Sequence, residues 1–132
     1  MRHGRREEQK LLLDCLFVGL GGFAGSVCRY LVGLLPVQPA DGFPVKTLCI
    51  NVAGAFTLGL LAALAARNPA LPPRLMLLLR VGVCGGFTTF STFAYETMAL
   101  LNAGKPGAAA LYMAASGALG VLAVLGGQLA VG

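Results

Sequence analysis

Four long apolar runs, separated by short clusters of proline, glycine and charged residues, organise this chain of 132 residues. The runs cover residues 11–35, 47–66, 75–101 and 108–131. Each has about the 20 mostly apolar residues that a spanning helix requires. Between the first two lie Pro36, Pro39, Asp41, Gly42 and Pro44, and between the second and third lie Arg67-Asn68-Pro69 and Pro72-Pro73-Arg74. Proline removes a backbone donor and suits a helix start, so these clusters both end one helix and open the next. A tight turn is expected from Asn102 to Gly107. None of the runs shows the apolar stripe of a soluble helix, as befits helices surrounded by lipid and by one another. The first run is too long for the apolar part of a secretory signal and ends without a cleavage site. The pattern predicts an all-α integral membrane protein: a basic tail over residues 1–10, then a single domain of four transmembrane helices over residues 11–132.

The third run differs from the others. Gly82, Gly85 and Gly86, followed by Thr88, Thr89, Ser91 and Thr92, lower helix stability at mid-membrane depth. A broken helix is expected near residues 83–89, with a glycine-rich packing surface on an unbroken helix as the alternative. Irregular backbone survives inside a bilayer only where it is buried in protein or lines a wet cavity, and freed carbonyls there commonly coordinate a cation. If helix resumes after the break, Thr88, Ser91, Thr92 and Tyr95 fall on one face, and Phe90 and Phe93 share a neighbouring one. The positive edge of a phenylalanine ring can approach an anion without the grip of a fixed cation. Glu96 lies about 12 Å along the axis beyond the break, as either a gate or a solvated helix-end charge.

Polar residues in the neighbouring runs share a one-turn spacing. Thr47 and Asn51 do so in the second run, and Asn51 either bonds another helix or lines a pathway. Tyr112 and Ser116 repeat the spacing in the fourth run, where a serine bonded back to its own helix is the simple alternative. Gly21, Gly22, Gly25, Gly33, Gly54, Gly59, Gly117 and Gly120 carry the signal for close helix packing.

Composition narrows the function. The chain is 57% hydrophobic and 11% charged, and its mean hydropathy of +0.79 belongs to a bilayer protein. The net charge of +5 raises nucleic-acid binding, but the cations mark the ends of apolar runs and form no stripe. Lipid headgroups and orientation explain them better. With the N-terminus inside, Arg2, Arg5, Arg6, Lys10, Arg67, Arg74 and Arg80 are cytoplasmic, opposed by Lys46, Lys105 and Arg29. Arg29 either snorkels to the headgroups or draws anions into a vestibule. Cys15, Cys28, Cys49 and Cys84 all lie in apolar runs and read as free thiols used for packing. His3 is the single histidine and lies in the tail, which disfavours a metal cluster. No Ser-His-Asp set, paired membrane carboxylates or phosphate loop suggests catalysis. The chain reads as a conduit, not an enzyme.

Three motifs resemble those of the Fluc fluoride channels, also called the CrcB family. Residues Gly21 to Tyr30 resemble the family's GGxxGxxxRY, and Thr47 to Phe56 its TLxxNxxGxF. The most diagnostic is Gly82-Val83-Cys84-Gly85-Gly86-Phe87-Thr88-Thr89-Phe90-Ser91-Thr92-Phe93 with Glu96 beyond it. The resemblance implies a four-helix subunit that pairs antiparallel with a second copy, or with an oppositely oriented homologue, in the bacterial cytoplasmic membrane. It implies a structural, non-transported sodium ion held by the carbonyls of Gly85 and Thr88, and ring edges of Phe90 and Phe93 lining a fluoride path. Asn51, Ser91 and Thr92 would neighbour the rings, with Thr47, Tyr112 and Ser116 continuing the track, Glu96 near one end and Arg29 at the vestibule. The implied activity is passive fluoride export and fluoride resistance. Gly120 stands where relatives often carry a further hydroxyl, and the charge bias suits one half of an oppositely oriented pair. The alternative is a small multidrug-type proton-coupled exporter, but such proteins rely on a mid-span carboxylate, and Asp14 lies near the start of its run.

Overall fold

The computed structural model describes residues 2–132, with side chains from Gly4 onward. Met1 and the side chains of Arg2 and His3, assigned above to the basic tail, lie outside the described residues. The chain is helical throughout: α1 (Arg2–Gly33), α2 (Val45–Arg67), a third span in several pieces, and α6 (Pro106–Ala130). The third span comprises α3 (Pro73–Met76), a π-helical segment (Leu77–Cys84), α4 (Gly85–Phe87) and α5 (Phe90–Asn102). Four helical stretches, Gly4–Gly33, Val45–Arg67, Pro73–Asn102 and Pro106–Ala130, are long and apolar enough to cross a membrane.

The expected spans hold to within a few residues, with one correction at the start. The basic tail is not a separate element, because α1 begins at Arg2 and continues into the first span. No breaker stands between Arg5 and Leu11, its Arg, Glu, Gln and Lys are good helix formers, and a Glu7–Lys10 ion pair of 2.9 Å spans one turn.

Several cations expected to meet headgroups bond helix ends instead. Lys46 donates to the carbonyl of Gly33 at the end of α1 (2.7 Å), and Arg67 to Val131 just past α6 (2.8 Å). Lys105 donates to the carbonyl of Asp41, tying the two loops on that side. The carbonyl ends of helices carry partial negative charge, so these contacts satisfy both the charge and the orphan acceptors. All four cysteines are free, Cys84 buried and the other three exposed.

Two crossings hold the bundle. In α2 and α6, Gly59 packs on the backbone of Val124 and Gly127 on that of Phe56. The other joins α1 to the third span through facing glycine pairs, Gly21 against Gly82 and Gly22 against Gly86, with Gly25 packed on the backbone of Val83 and Phe87. The Gly86 position is 3.0 Å from the Gly22 Cα once a Cβ is added, so a side chain there would separate the helices. Lipid gives no hydrophobic drive between helices, so close backbone contact of this kind supplies the association energy. Its consequence is positional: the broken third span lies directly on α1.

Candidate functional site: the broken third span and its cavities

Helix stops at Phe87 and resumes at Phe90, as the glycines and threonines predicted. Thr88 (φ −78°, ψ 156°) and Thr89 (φ −150°, ψ 114°) are extended. Neither needs a glycine conformation; Gly82 and Gly86 serve the crossing with α1, while the threonines make the break. The Thr88 hydroxyl turns back to the carbonyl of Cys84 (2.9 Å), which its own N–H also reaches (3.0 Å). Thr89 is the N-cap of α5: its hydroxyl oxygen accepts from the N–H of Thr92 (3.2 Å). Threonine at that position replaces a missing helical acceptor.

Asn51 completes the break from α2. Its side-chain amide donates to the Thr89 carbonyl (3.1 Å) and accepts from the Thr89 N–H (2.8 Å). A single amide thus satisfies both backbone groups of an extended residue, as a neighbouring strand would. Of the two readings left open for Asn51, bonding to another helix is what the structure displays, although the residue also lines a cavity.

These contacts redirect donors that a continuous helix would send elsewhere. The Thr89 N–H, which would close a turn on Gly85, goes to Asn51, and the Thr92 N–H, which would reach Thr88, goes to Thr89. The carbonyls of Gly85 and Thr88 therefore lose their helical donors. Between them, the Gly86 carbonyl accepts from Arg29 Nε (3.1 Å) and lies 3.5 Å from the Ser26 hydroxyl. Arg29 is not a simple headgroup anchor: its Nε caps the broken helix, and the residue also lines the larger cavity. Gly22, Ser26 and Arg29 share one face of α1, so the close crossing at Gly22 delivers the guanidinium to that carbonyl.

Thr88 does not join the expected hydroxyl face. It precedes α5 and belongs to no helical turn with Ser91; its methyl instead lies against Gly54. Thr89, which spacing alone did not single out, takes its place, with hydroxyl contacts to Thr92 (3.0 Å) and Ser91 (3.4 Å). The sequence signal was the Thr-x-x-Thr spacing at a helix start, an N-cap pattern.

Glu96 is not a solvated helix-end charge. One carboxylate oxygen accepts from the Thr47 hydroxyl (2.8 Å) and the other from Tyr112 (2.7 Å). Tyr112 is wholly buried and Thr47 nearly so, so one member of each one-turn pair converges on this carboxylate, while Asn51 bonds Thr89 and Ser116 is left unpartnered. The Tyr112 ring also packs on Phe93 (centroids 5.1 Å apart), and Phe93 on Phe90 (5.6 Å). An aromatic chain therefore leads from the carboxylate to the open surface of the subunit, where Phe90 is 79% exposed and Ser91 and Gly85 also stand open.

Two open-sided cavities meet at this break. One, of about 830 Å³, is lined by Arg29, Lys46, Thr47, Thr89, Thr92 and Glu96 among others. The second, of about 490 Å³, includes Asn51, Gly85, Thr88, Thr89, Phe90, Phe93 and Ser116. Thr89 belongs to both and forms the partition. The Ser116 hydroxyl oxygen is buried without any hydrogen-bond partner, so the simple alternative of bonding to its own helix does not occur. Buried hydroxyls normally find partners, and an orphan beside a cavity is a ready donor for a small acceptor. Asp14, near the start of the first apolar run, accepts from Arg74 Nε at 2.9 Å.

The family described as "CrcB-like protein, Camphor Resistance (CrcB)" matches residues 16–128. The chain is 45% identical over 119 residues to a fluoride-specific ion channel of Chlorobaculum tepidum, covering 90% of this chain and 94% of that one. A fluoride-specific ion channel of Methanopyrus kandleri is 47% identical over 114 residues, 86% and 85% of the two chains. One from Rhizobium meliloti is 44% identical over 113 residues, 85% and 90%.

Proposed function

We propose, from the premise that this chain belongs to the CrcB family, that it is a fluoride-selective channel carrying the anion passively out of the cytoplasm. The reading places it as a multi-pass protein of the bacterial cytoplasmic membrane. The observation that carries it is the second cavity, where an unpartnered serine hydroxyl, Ser116, shares a wall with the Phe90–Phe93 ring pair. A fluoride ion there gains a hydrogen bond from Ser116 and the positive ring edges, and is held weakly enough to leave. A larger halide fits a narrow path of this kind poorly. Beyond the partition at Thr89, the hydroxyl of Thr92 continues the track toward Thr47 and Glu96, with Tyr112 on the same carboxylate and Ser91 on the open face beside Phe90. An inside-negative potential gives an anion about 2.3 kcal/mol per 100 mV for leaving the cell, so no fuel is required, and fluoride resistance follows.

The working unit in this reading is an antiparallel dimer, of two copies or of this chain with an oppositely oriented homologue. Support comes from the mid-span surface left open around Gly85, Phe90 and Ser91, which a second subunit would cover. A structural sodium ion fits the same place. The carbonyls of Gly85 and Thr88 lack their helical donors, and oxygen-only donors suit a hard monovalent cation. When bound, the ion would supply positive charge at the dimer centre, while the carbonyls, Asn51 and Thr89 hold the break in shape.

The test is fluoride efflux from liposomes containing purified protein, followed with a fluoride electrode. Rapid fluoride release without chloride release is expected, and Phe90→Ile should slow it by about tenfold or more while the dimer remains intact, which corresponds to about 1.4 kcal/mol of barrier. Replacing sodium on both sides with N-methylglucamine should silence the channel. No fluoride efflux from the protein alone or with a partner homologue would overturn the reading. Sodium-independent flux would remove the cation from it.

A further inference from the structure

We propose that Arg80 is an anion-recruiting group at the mouth of the second cavity, setting how readily fluoride enters at low concentration; this deepens, and rests on, the fluoride-channel reading. Arg80 is the single charged residue in the wall that also contains Phe90, Phe93 and Ser116. It is exposed, and among the described residues it makes no hydrogen bond and no ion pair. The other arginines near the spans are all occupied: Arg29 with Gly86, Arg67 with Val131 and Arg74 with Asp14. Arg80 lies seven residues inside the third span, roughly 10 Å from its start, where a guanidinium either snorkels to the interface or faces a wet path; its place in the cavity wall favours the path.

Its position suits recruitment more than tight binding. Arg80 lies five residues before Gly85, roughly 6–8 Å along the helix, and therefore stands back from the ring pair. At that separation a full charge in a half-wet cavity still attracts an anion by about tenfold in local concentration, yet does not trap it at the rings. In the other cavity the cations Arg29, Lys46 and Lys105 stand with two carboxylates, Asp41 and Glu96, whereas the wall around Arg80 holds no carboxylate. Arg80 is therefore the one charge an anion meets in the second cavity, with no neighbouring carboxylate to repel it.

Fluoride efflux at submillimolar fluoride, measured for wild type, Arg80→Gln and Arg80→Lys, tests this at two strengths of an impermeant salt. At about 10 mM salt the Debye length is about 30 Å, and Arg80→Gln should lose about tenfold in rate; at about 1 M it is about 3 Å, and the loss should shrink to less than about twofold. Arg80→Lys should keep most of the wild-type rate at both. If Arg80→Gln does not assemble, Arg80→Met carries the same comparison. Equal rates at low salt, or a loss that salt does not diminish, would overturn the role of Arg80. A wild-type protein that conducts no fluoride at all would instead sink the channel reading, so the two failures are distinguishable.

Discussion

Asn51→Leu should abolish detectable fluoride efflux, a fall of at least about 100-fold, although leucine matches asparagine closely in size. The amide is the sole partner seen for both backbone groups of Thr89. Each buried backbone group left without a partner costs about 1–3 kcal/mol, and more in hydrocarbon, where water cannot repair the loss. Removing both bonds therefore places about 2–6 kcal/mol on the extended form of the break. That is enough for residues 88 and 89 to rearrange toward continuous helix, closing the partition and taking back the Gly85 carbonyl. Asn51→Asp separates the contributions, because a carboxylate still accepts from the Thr89 N–H but cannot donate to its carbonyl. Its efflux should fall between wild type and Asn51→Leu. Hydrogen exchange at the Thr89 amide gives a readout independent of conduction and should rise in Asn51→Leu. Wild-type efflux from that variant, with protection at Thr89 unchanged, would show that the amide does not hold the break.

What could be read from the sequence divides by the range of the interaction. The four spans follow from apolar length and from proline clusters, both local properties, and apart from the start of α1 the helix ends fall within a few residues of those signals. The break was legible for the same reason, since the threonine hydroxyls act on nearby backbone of their own span. The face assignment for Thr88 failed because helical spacing was carried across a break that resets it; α5 counts from Phe90, with Thr89 as its cap. The π-helical winding of Leu77–Cys84 was not legible, and nothing in its leucines and valines distinguishes it from ordinary helix.

The site's other features depend on which helices cross. Arg29 meets Gly86 over 57 positions of sequence, and Asn51 meets Thr89 over 38. No periodicity within one span contains such pairings. Thr47, Glu96 and Tyr112 come from three helices and converge on one carboxylate, so each alone looked like a weak polar residue in an apolar run. Sequence could name these residues, but only packing could assign their partners.

Packing is also where the largest structural effect is expected. Gly25→Val should eliminate correctly assembled protein, while Gly25→Ala should lower the melting temperature markedly and slow efflux. A Cβ on Gly25 would sit 2.8 Å from the Phe87 backbone nitrogen and would also meet the carbonyl oxygen of Val83. Both are backbone atoms, which cannot swing aside as a side-chain tip can, so α1 must move off the third span. Overpacking by one methyl costs about 1–3 kcal/mol, and valine adds two further methyls to the same contact. The movement also has a directed consequence. Ser26 and Arg29 lie on the same face of α1, so separating the helices withdraws Arg29 from the Gly86 carbonyl and leaves the end of α4 uncapped. Packing and the functional break are thus one structure, and a defect in the first should appear in the second. Gly117→Ala supplies the contrast, because a Cβ there meets nothing within 4 Å in this subunit and the subunit fold should tolerate it. Size-exclusion profiles and thermal melts in detergent would check the series. A Gly25→Val protein with wild-type yield, melting and efflux would mean that α1 does not dock through this glycine.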